Sequence, residues 1–261
     1  MNNNRNTLNL KKYAGKQKIE KRLTKEHLFF IIPLKEKRGA AMYLSESDLN
    51  GIGRDIVRSY SMDEFAPVDI EDLLKKLLGI SVEDYTLHPR GLILGMCSSG
   101  SQLVKVKKDR EIILAELNKN VVFIDSSLNN PWYEGRRNFT IAHEGGHHFL
   151  FDLEKQKSGS AQPFCRVVSQ SRAFDPDEWK ADVLASCLLL PEQNVRNAFY
   201  ELFQKEHLDT ITAFNREIFC KFEDMARFFR VSKTALSIRL KKLGLVNEFN
   251  FSRSIAIYND D

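Results

Sequence analysis

The sequence predicts a mixed α+β fold, mostly helical, with a small antiparallel sheet in its first half and a helix-turn-helix-like segment near its C-terminus. Three observations carry this. Apolar residues recur at a helical period over several stretches, and three short apolar runs lie between residues 92 and 124. Near the C-terminus, a break at Val231 and Ser232 separates two amphipathic stretches.

Residues 1–26 are rich in Asn and Lys with few apolar positions, and they read as part of a flexible basic tail spanning 1–40. Over 47–60, Leu49, Ile52, Ile56 and Val57 recur near a 3.6 period, which predicts a helix. A second helix starts near 67–69, with Ile70, Leu73, Leu74, Leu77 and Leu78 on one face and Gly79 as its stop. Strands are expected at 92–97, 111–117 and 121–124. Asn118-Lys119-Asn120 has the composition of a hairpin turn joining the last two.

After a break at Asn129-Asn130-Pro131, residues 136–151 read as a helix. Residues 154–173 lack periodicity and read as a loop long enough to carry function. Asp175-Pro176-Asp177-Glu178 is a strong helix start, with Asp175 as N-cap, Pro176 at the first helical position and acids in the first turn. That helix runs to about Leu190, and another follows over 192–203. The expected organisation is the tail over 1–40, a main domain over 41–205, and the helix-turn-helix-like region over 206–261.

Composition narrows the function. The 261 residues are 43% hydrophobic and 28% charged, as in ordinary globular chains. The apolar run at 28–34 is interrupted by Pro33 and is far too short to span a bilayer. Lys35, Glu36, Lys37 and Arg38 follow it instead of a small-residue cleavage site, so neither a secretory signal nor a membrane partner is expected. Cys97, Cys165, Cys187 and Cys220 are scattered with no CxxC pair, which reads as reduced thiols in a cytoplasmic protein. The net charge of +4 is uneven. Residues 1–40 hold 11 Lys/Arg against 3 Glu, residues 221–246 hold 7 against 2 acids, and the stretch between is acidic. Basic ends can meet nucleic acid or an acidic partner, or can simply be solvated.

His143-Glu144-Gly145-Gly146-His147 is an HExxH match. Residues i and i+4 stack on one helix face, so two imidazoles can ligate one ion at about 2.0–2.1 Å. Glu144 then points to the same rim, where it can take a proton from a water on the metal. The competing reading is a helical His pair packed in a core. Two glycines inside the helix cost about 1 kcal/mol each relative to Ala, which makes sense if another backbone or a substrate must come close. A third ligand must come from elsewhere. Glu178, 31 positions past His147, is the best candidate. Asp182 lies four residues on and can accept a hydrogen bond from a ligating imidazole. Both could instead be plain surface acids. His148 projects about 100° from His147 and reads as a non-ligand. Nothing places His207 in the cleft, and His27 and His88 read as incidental.

These residues resemble a known family. The run from Arg137 to His147 is similar to the RxRFTxAHExGH segment of the ImmA/IrrE metallopeptidases. Glu178, Ala181, Asp182, Ala185, Leu188, Leu189 and Pro191 are similar to that family's second block, E-x-x-A-N/D-x-x-A-x-x-L-L-x-P. The resemblance covers roughly residues 45–246. It implies a zincin-like, thermolysin-like peptidase core, one catalytic Zn2+, His143, His147 and Glu178 as its ligands, Glu144 as general base, and Asp182 behind them. Gly145 departs from the bulky residue usual after HE, which would loosen the helix without removing a ligand.

The C-terminal stretch has helix-turn-helix spacing, with Met225, Ala226 and Phe229 on the first helical face. Ser232 is a fair N-cap for the second, and Gly244 ends it. Lys233, Arg239, Lys241 and Lys242 are expected on the outer side as candidate nucleic-acid contacts. So few cations would support only weak, salt-sensitive binding to DNA, and the alternative is a packing element. The leading expectation is a zinc endopeptidase making a limited cut in a protein. By the resemblance, that substrate is a helix-turn-helix repressor, so that cleavage relieves repression. A DNA-binding regulator with a structural or vestigial metal site is the rival, and an antitoxin-like binder that does not cut is a third reading.

Overall fold

The structure is a computed structural model and describes residues 44–61, 65–158, 165–167 and 175–251. The basic tail expected over 1–40 lies outside the described residues, as does most of the loop expected over 154–173. No helix among the described residues is long and apolar enough to cross a membrane.

Helix α1 (Glu46–Tyr60) opens with a capping box in which the Ser45 side chain accepts from the Asp48 N–H and the Asp48 carboxylate accepts from the Ser45 N–H. Helix α2 (Ile70–Leu78) has Asp69 as N-cap and ends at Gly79, whose φ of 69° is the left-handed stop expected from sequence. Its face of Ile70, Leu73, Leu74, Leu77 and Leu78 is buried as the periodicity predicts.

The sheet departs from expectation. Strands β1 (Ser81–Tyr85), β2 (Gly95–Ser98), β3 (Gln102–Lys108), β4 (Glu111–Leu117), β5 (Val121–Asp125) and β6 (Cys165–Val167) form two sheets. The larger has the order β1-β5-β2-β6 and is mixed: β1 and β5 run parallel, while β2 is antiparallel to both β5 and β6. Strands β3 and β4 make a separate antiparallel ribbon, turning at Asp109 and Arg110. The expected β4–β5 hairpin and the purely antiparallel sheet are therefore corrected. Asn118 and Asn120 do turn the chain, but β5 leaves its neighbour for β1 and β2. The reason is burial. Every residue of β5 is buried, so it belongs in a sheet centre with strands on both sides. The outer face of β3–β4 instead exposes Leu103, Ile112 and Leu114.

Two short 3-10 turns, at Ser126–Asn129 and Pro131–Tyr133, lead into helix α3 (Glu134–Ser158), longer at both ends than the periodicity indicates. Helices α4 (Pro176–Leu189) and α5 (Glu192–Phe203) match the sequence reading within a residue, with Asp175 accepting from the Asp177 N–H as N-cap. The remainder is β7 (Leu208–Thr212), α6 (Arg216–Phe228), α7 (Lys233–Lys242) and β8 (Val246–Asn250), with β7 and β8 paired in parallel.

One hydrophobic core runs through α1, α2, α4 and α5 into α6 and α7, from Leu49 and Leu73 to Phe222 and Leu236, across the boundary expected at residue 205. The C-terminal helices are pinned to the rest. The Asn138 amide donates to the Arg230 carbonyl, Arg230 pairs with Glu134, and a Cβ on Gly135 would lie 2.4 Å from the Ser232 nitrogen in the α6–α7 turn.

The charged residues expected on the outer face of α7 divide. Arg239 is 2% exposed, and its guanidinium donates to the Leu190 carbonyl and the Asn50 side-chain oxygen. This corrects its assignment as an outward nucleic-acid contact: its position faces the core once α7 docks on α1 and α4. Lys233 pairs with Glu223 and Lys242 with Glu46, while Lys241 lies over the Phe249 ring.

Candidate metal centre

Two packed helices build the site. Helix α3 carries the HExxH residues, and α4 crosses it closely enough that a Cβ on Gly146 would lie 3.3 Å from the Ala181 carbonyl oxygen. That close backbone approach is what the glycine was expected to permit. Gly145 serves differently, since a Cβ there would sit 2.5 Å from a methyl group of Leu74 on α2. It seats α2 against α3 and leaves the helix intact, so the expected loosening is not observed.

The helical spacing puts His143 and His147 on one face, with their Nε2 atoms 3.1 Å apart. Glu178 projects from the first turn of α4, where the Asp175-Pro176 start places it. Its Oε2 lies 3.0 Å from His143 Nε2 and its Oε1 3.4 Å from His147 Nε2. The ligand-type atoms of these three residues all lie within 4.8 Å of one another. A tetrahedral ion with ligands at about 2.0–2.1 Å separates neighbouring ligand atoms by roughly 3.3 Å. The observed separations suit such an ion, and the donor set of two imidazoles and one carboxylate suits a divalent transition metal. Both histidines are buried while Glu178 is partly open to solvent.

Behind this cluster, Asp182 Oδ1 lies 2.8 Å from His143 Nδ1. Such a bond fixes the ring orientation and directs Nε2 into the pocket. Burial works against a charge on His143, but the hydrogen bonds to Asp182 and Glu178 outweigh it and raise its pKa to about 10 in the metal-free pocket. Hydrogen bonds from His143 and His147 hold Glu178 far below the usual carboxylate range.

Glu144 is fully buried. The Cys97 thiol offers it a weak donor, but among the described residues neither carboxylate oxygen has a hydrogen bond of ordinary geometry. Burial raises its pKa from 4.5 to about 7, offset in part by the charge of nearby His143. A buried carboxylate lacking a strong donor costs stability, and such groups concentrate where chemistry is done.

Two residues near Glu144 escaped the sequence reading. Gly95 opens β2, and a Cβ there would come within 2.6 Å of Glu144 Oε1; Cys97 follows two residues later. No local signal marks either, because their role exists only once β2 packs on α3. Arg137, noted in the sequence only as part of the motif, bridges Asp84 on β1 and Glu71 on α2 and so anchors the start of α3. The other histidines lie apart from the cluster: His207 bonds Asn247 across β7–β8, and His88 accepts from the Arg90 N–H. His148 is buried but is not among the three clustered ligand residues; His27 lies outside the described residues.

An α+β chain in which two packed helices bring two histidines and a glutamate together beside a buried glutamate has the make-up of a metallopeptidase. Residues 101–241 match the Peptidase_M78 family model, the IrrE N-terminal-like domain, and the chain belongs to this family of metallopeptidases. The match contains His143, Glu144, His147 and Glu178 as well as α6 and most of α7. No curated protein matches the chain.

Proposed function

We propose that this protein is a zinc-dependent endopeptidase in which His143, His147 and Glu178 hold the ion and Glu144 acts as general base. The observation that carries the proposal is the convergence of three ligand-type side chains beside a buried carboxylate that lacks a strong hydrogen-bond donor. A zinc ion held there would polarise the scissile carbonyl and make a water acidic enough to attack near neutral pH. The protein's own groups do the rest. Asp182 orients the His143 ring. Glu144, with a pKa of about 7, is poised to accept a proton from the attacking water and deliver it to the leaving amine. Gly95 keeps the space around its carboxylate clear.

The substrate in this reading is a helix-turn-helix repressor, cut once in the cytoplasm to relieve repression. The family resemblance supports this choice. The α6–α7 pair has helix-turn-helix spacing, and we read it as a packing and substrate-docking element. Its turn is pressed against Gly135, and Arg239 is buried, which weakens the case for a DNA-reading helix.

The test mixes the zinc-loaded protein with the repressor encoded beside its gene and looks for a single cleavage product. Glu144→Gln should abolish the cut while binding one zinc per chain. Undiminished cleavage by that variant removes the general-base assignment, and absence of stoichiometric metal in the wild type removes the hydrolase reading.

A further inference from the structure

A second cleft opens where α1, the end of α4 and the start of α5 meet α7. It encloses about 290 Å3 and is lined by Asn50, Arg54, Arg58, Glu192, Gln193 and Arg239, among others. Volume alone assigns nothing, but the charge in this cleft is unusual.

Arg239 is almost wholly buried, and its hydrogen-bond partners among the described residues are neutral. Nε donates to the Leu190 carbonyl at 3.0 Å, and Nη1 to Asn50 Oδ1 at 2.8 Å. The guanidinium also borders the sulfur of Cys187, whose thiol burial holds in its neutral form. Among the described residues no carboxylate lies within ion-pairing distance of Arg239. Glu46, one turn before Asn50, is engaged by Lys242 at 2.7 Å. A buried cation without a counter-charge is strongly unfavourable, and proteins normally pair one or leave it to a ligand.

The rest of the lining has the same bias. Arg58 is exposed on the last turn of α1, where no acid among the described residues pairs with it, and Arg54 has a 3.3 Å contact with Asp55. Among the described lining residues the acid is Glu192, and it is held by Arg196 at 2.8 Å. The first turn of the 12-residue α5 also faces this cleft, and its N-cap, Pro191, supplies no side-chain acceptor. Helix starts attract anions through their N–H groups and dipole, and guanidinium groups bind phosphate in a forked geometry.

We infer that this cleft binds the phosphate group of a small molecule, with Arg239 as its buried anchor and Arg54 and Arg58 closing over it from α1. The size lies at the lower end of ligand pockets, roughly 300–1,000 Å3, which suits inorganic phosphate or a compact phosphorylated metabolite. The cleft joins the C-terminal end of the helix bearing Glu178 to α7, so an occupant would also fasten the C-terminal helices to the core. The inference is independent of the proposed peptidase chemistry.

The experiment uses the full chain and titrates inorganic phosphate and, separately, adenosine monophosphate by calorimetry and thermal unfolding. Ionic strength is matched with chloride, and each titration is run with and without metal. Phosphate should bind and raise Tm in both metal states. The double variant Arg54→Ala/Arg58→Ala, altered at exposed positions only, should weaken that binding by about tenfold or more. Arg239→Gln should lose the phosphate-induced rise even if its own Tm is lower. Tighter binding of the nucleotide than of phosphate identifies a phosphorylated metabolite as the ligand, and equal binding identifies the phosphate group itself. A response confined to the metal-loaded protein, equal affinity in wild type and the double variant, or no phosphate-specific effect overturns the assignment.

Discussion

Replacing Glu144 with Gln tests whether burial of this carboxylate sets both its chemistry and its cost. In the metal-free protein its pKa rises from 4.5 to about 7, chiefly because burial disfavours the charged form. An acid whose folded-state pKa is raised favours folding below its unfolded pKa and opposes it as pH rises through the folded value. Glu144 therefore costs the metal-free fold little near pH 4, progressively more from 4.5 to about 7, and a constant amount above that. The full difference is about 3 kcal/mol, at 1.36 kcal/mol per tenfold change in the equilibrium. Gln has the same shape and cannot ionise, so Glu144→Gln escapes the cost. The two proteins should unfold alike near pH 4–5, and the variant should be more stable by about 3 kcal/mol at pH 8. For a chain of this size that corresponds to a Tm higher by roughly 6–12 °C. The assay is thermal and urea unfolding with chelator present, from pH 4 to 9. Parallel pH curves for the two proteins would refute the reasoning, because they would mean that Glu144 is solvated or paired in solution.

Three further outcomes follow from the structure. His143 has a raised pKa, so its charged form stabilises the metal-free fold fully below pH 6.5, and that contribution is lost as pH rises through about 10. Metal must displace this proton, so affinity should tighten by about tenfold per pH unit between 7 and 9 in chelator-competition titrations; a flat profile would contradict the His143 assignment. Asp182→Asn should weaken metal binding by about 10–100-fold with little change in fold, and unchanged affinity would remove its role in orienting the ring. Finally, Gly135→Val must push α3 away from the α6–α7 turn, costing about 1–3 kcal/mol and exposing the C-terminal helices to limited proteolysis. Wild-type stability in that variant would show that the two units are not pressed together.

Much of the candidate centre was legible because its spacing is local. A helix repeats every 3.6 residues whatever surrounds it, so the i, i+4 histidines had to share a face. Asp175 and Pro176 fixed the start of α4, which put Glu178 in the first turn and Asp182 one turn behind it. The packing of α3 against α4 then needed only the small residues Gly146 and Ala181 at the crossing.

What local spacing cannot supply is the choice of distant partners. The run of five apolar and acidic residues in β5 reads as a strand, yet only the assembled core makes it central, beside β1 in parallel instead of β4. Arg239 looks like an outward cation until α7 docks and turns it toward Leu190 and Asn50. The reactivity assigned to Glu144 arises from its burial beside Gly95 and Cys97 on a strand some fifty residues away. Sequence by itself determined which side chains each helix presents together. Tertiary structure decided which of them lose water, because burial depends on every neighbour and strand pairing on contacts remote along the chain.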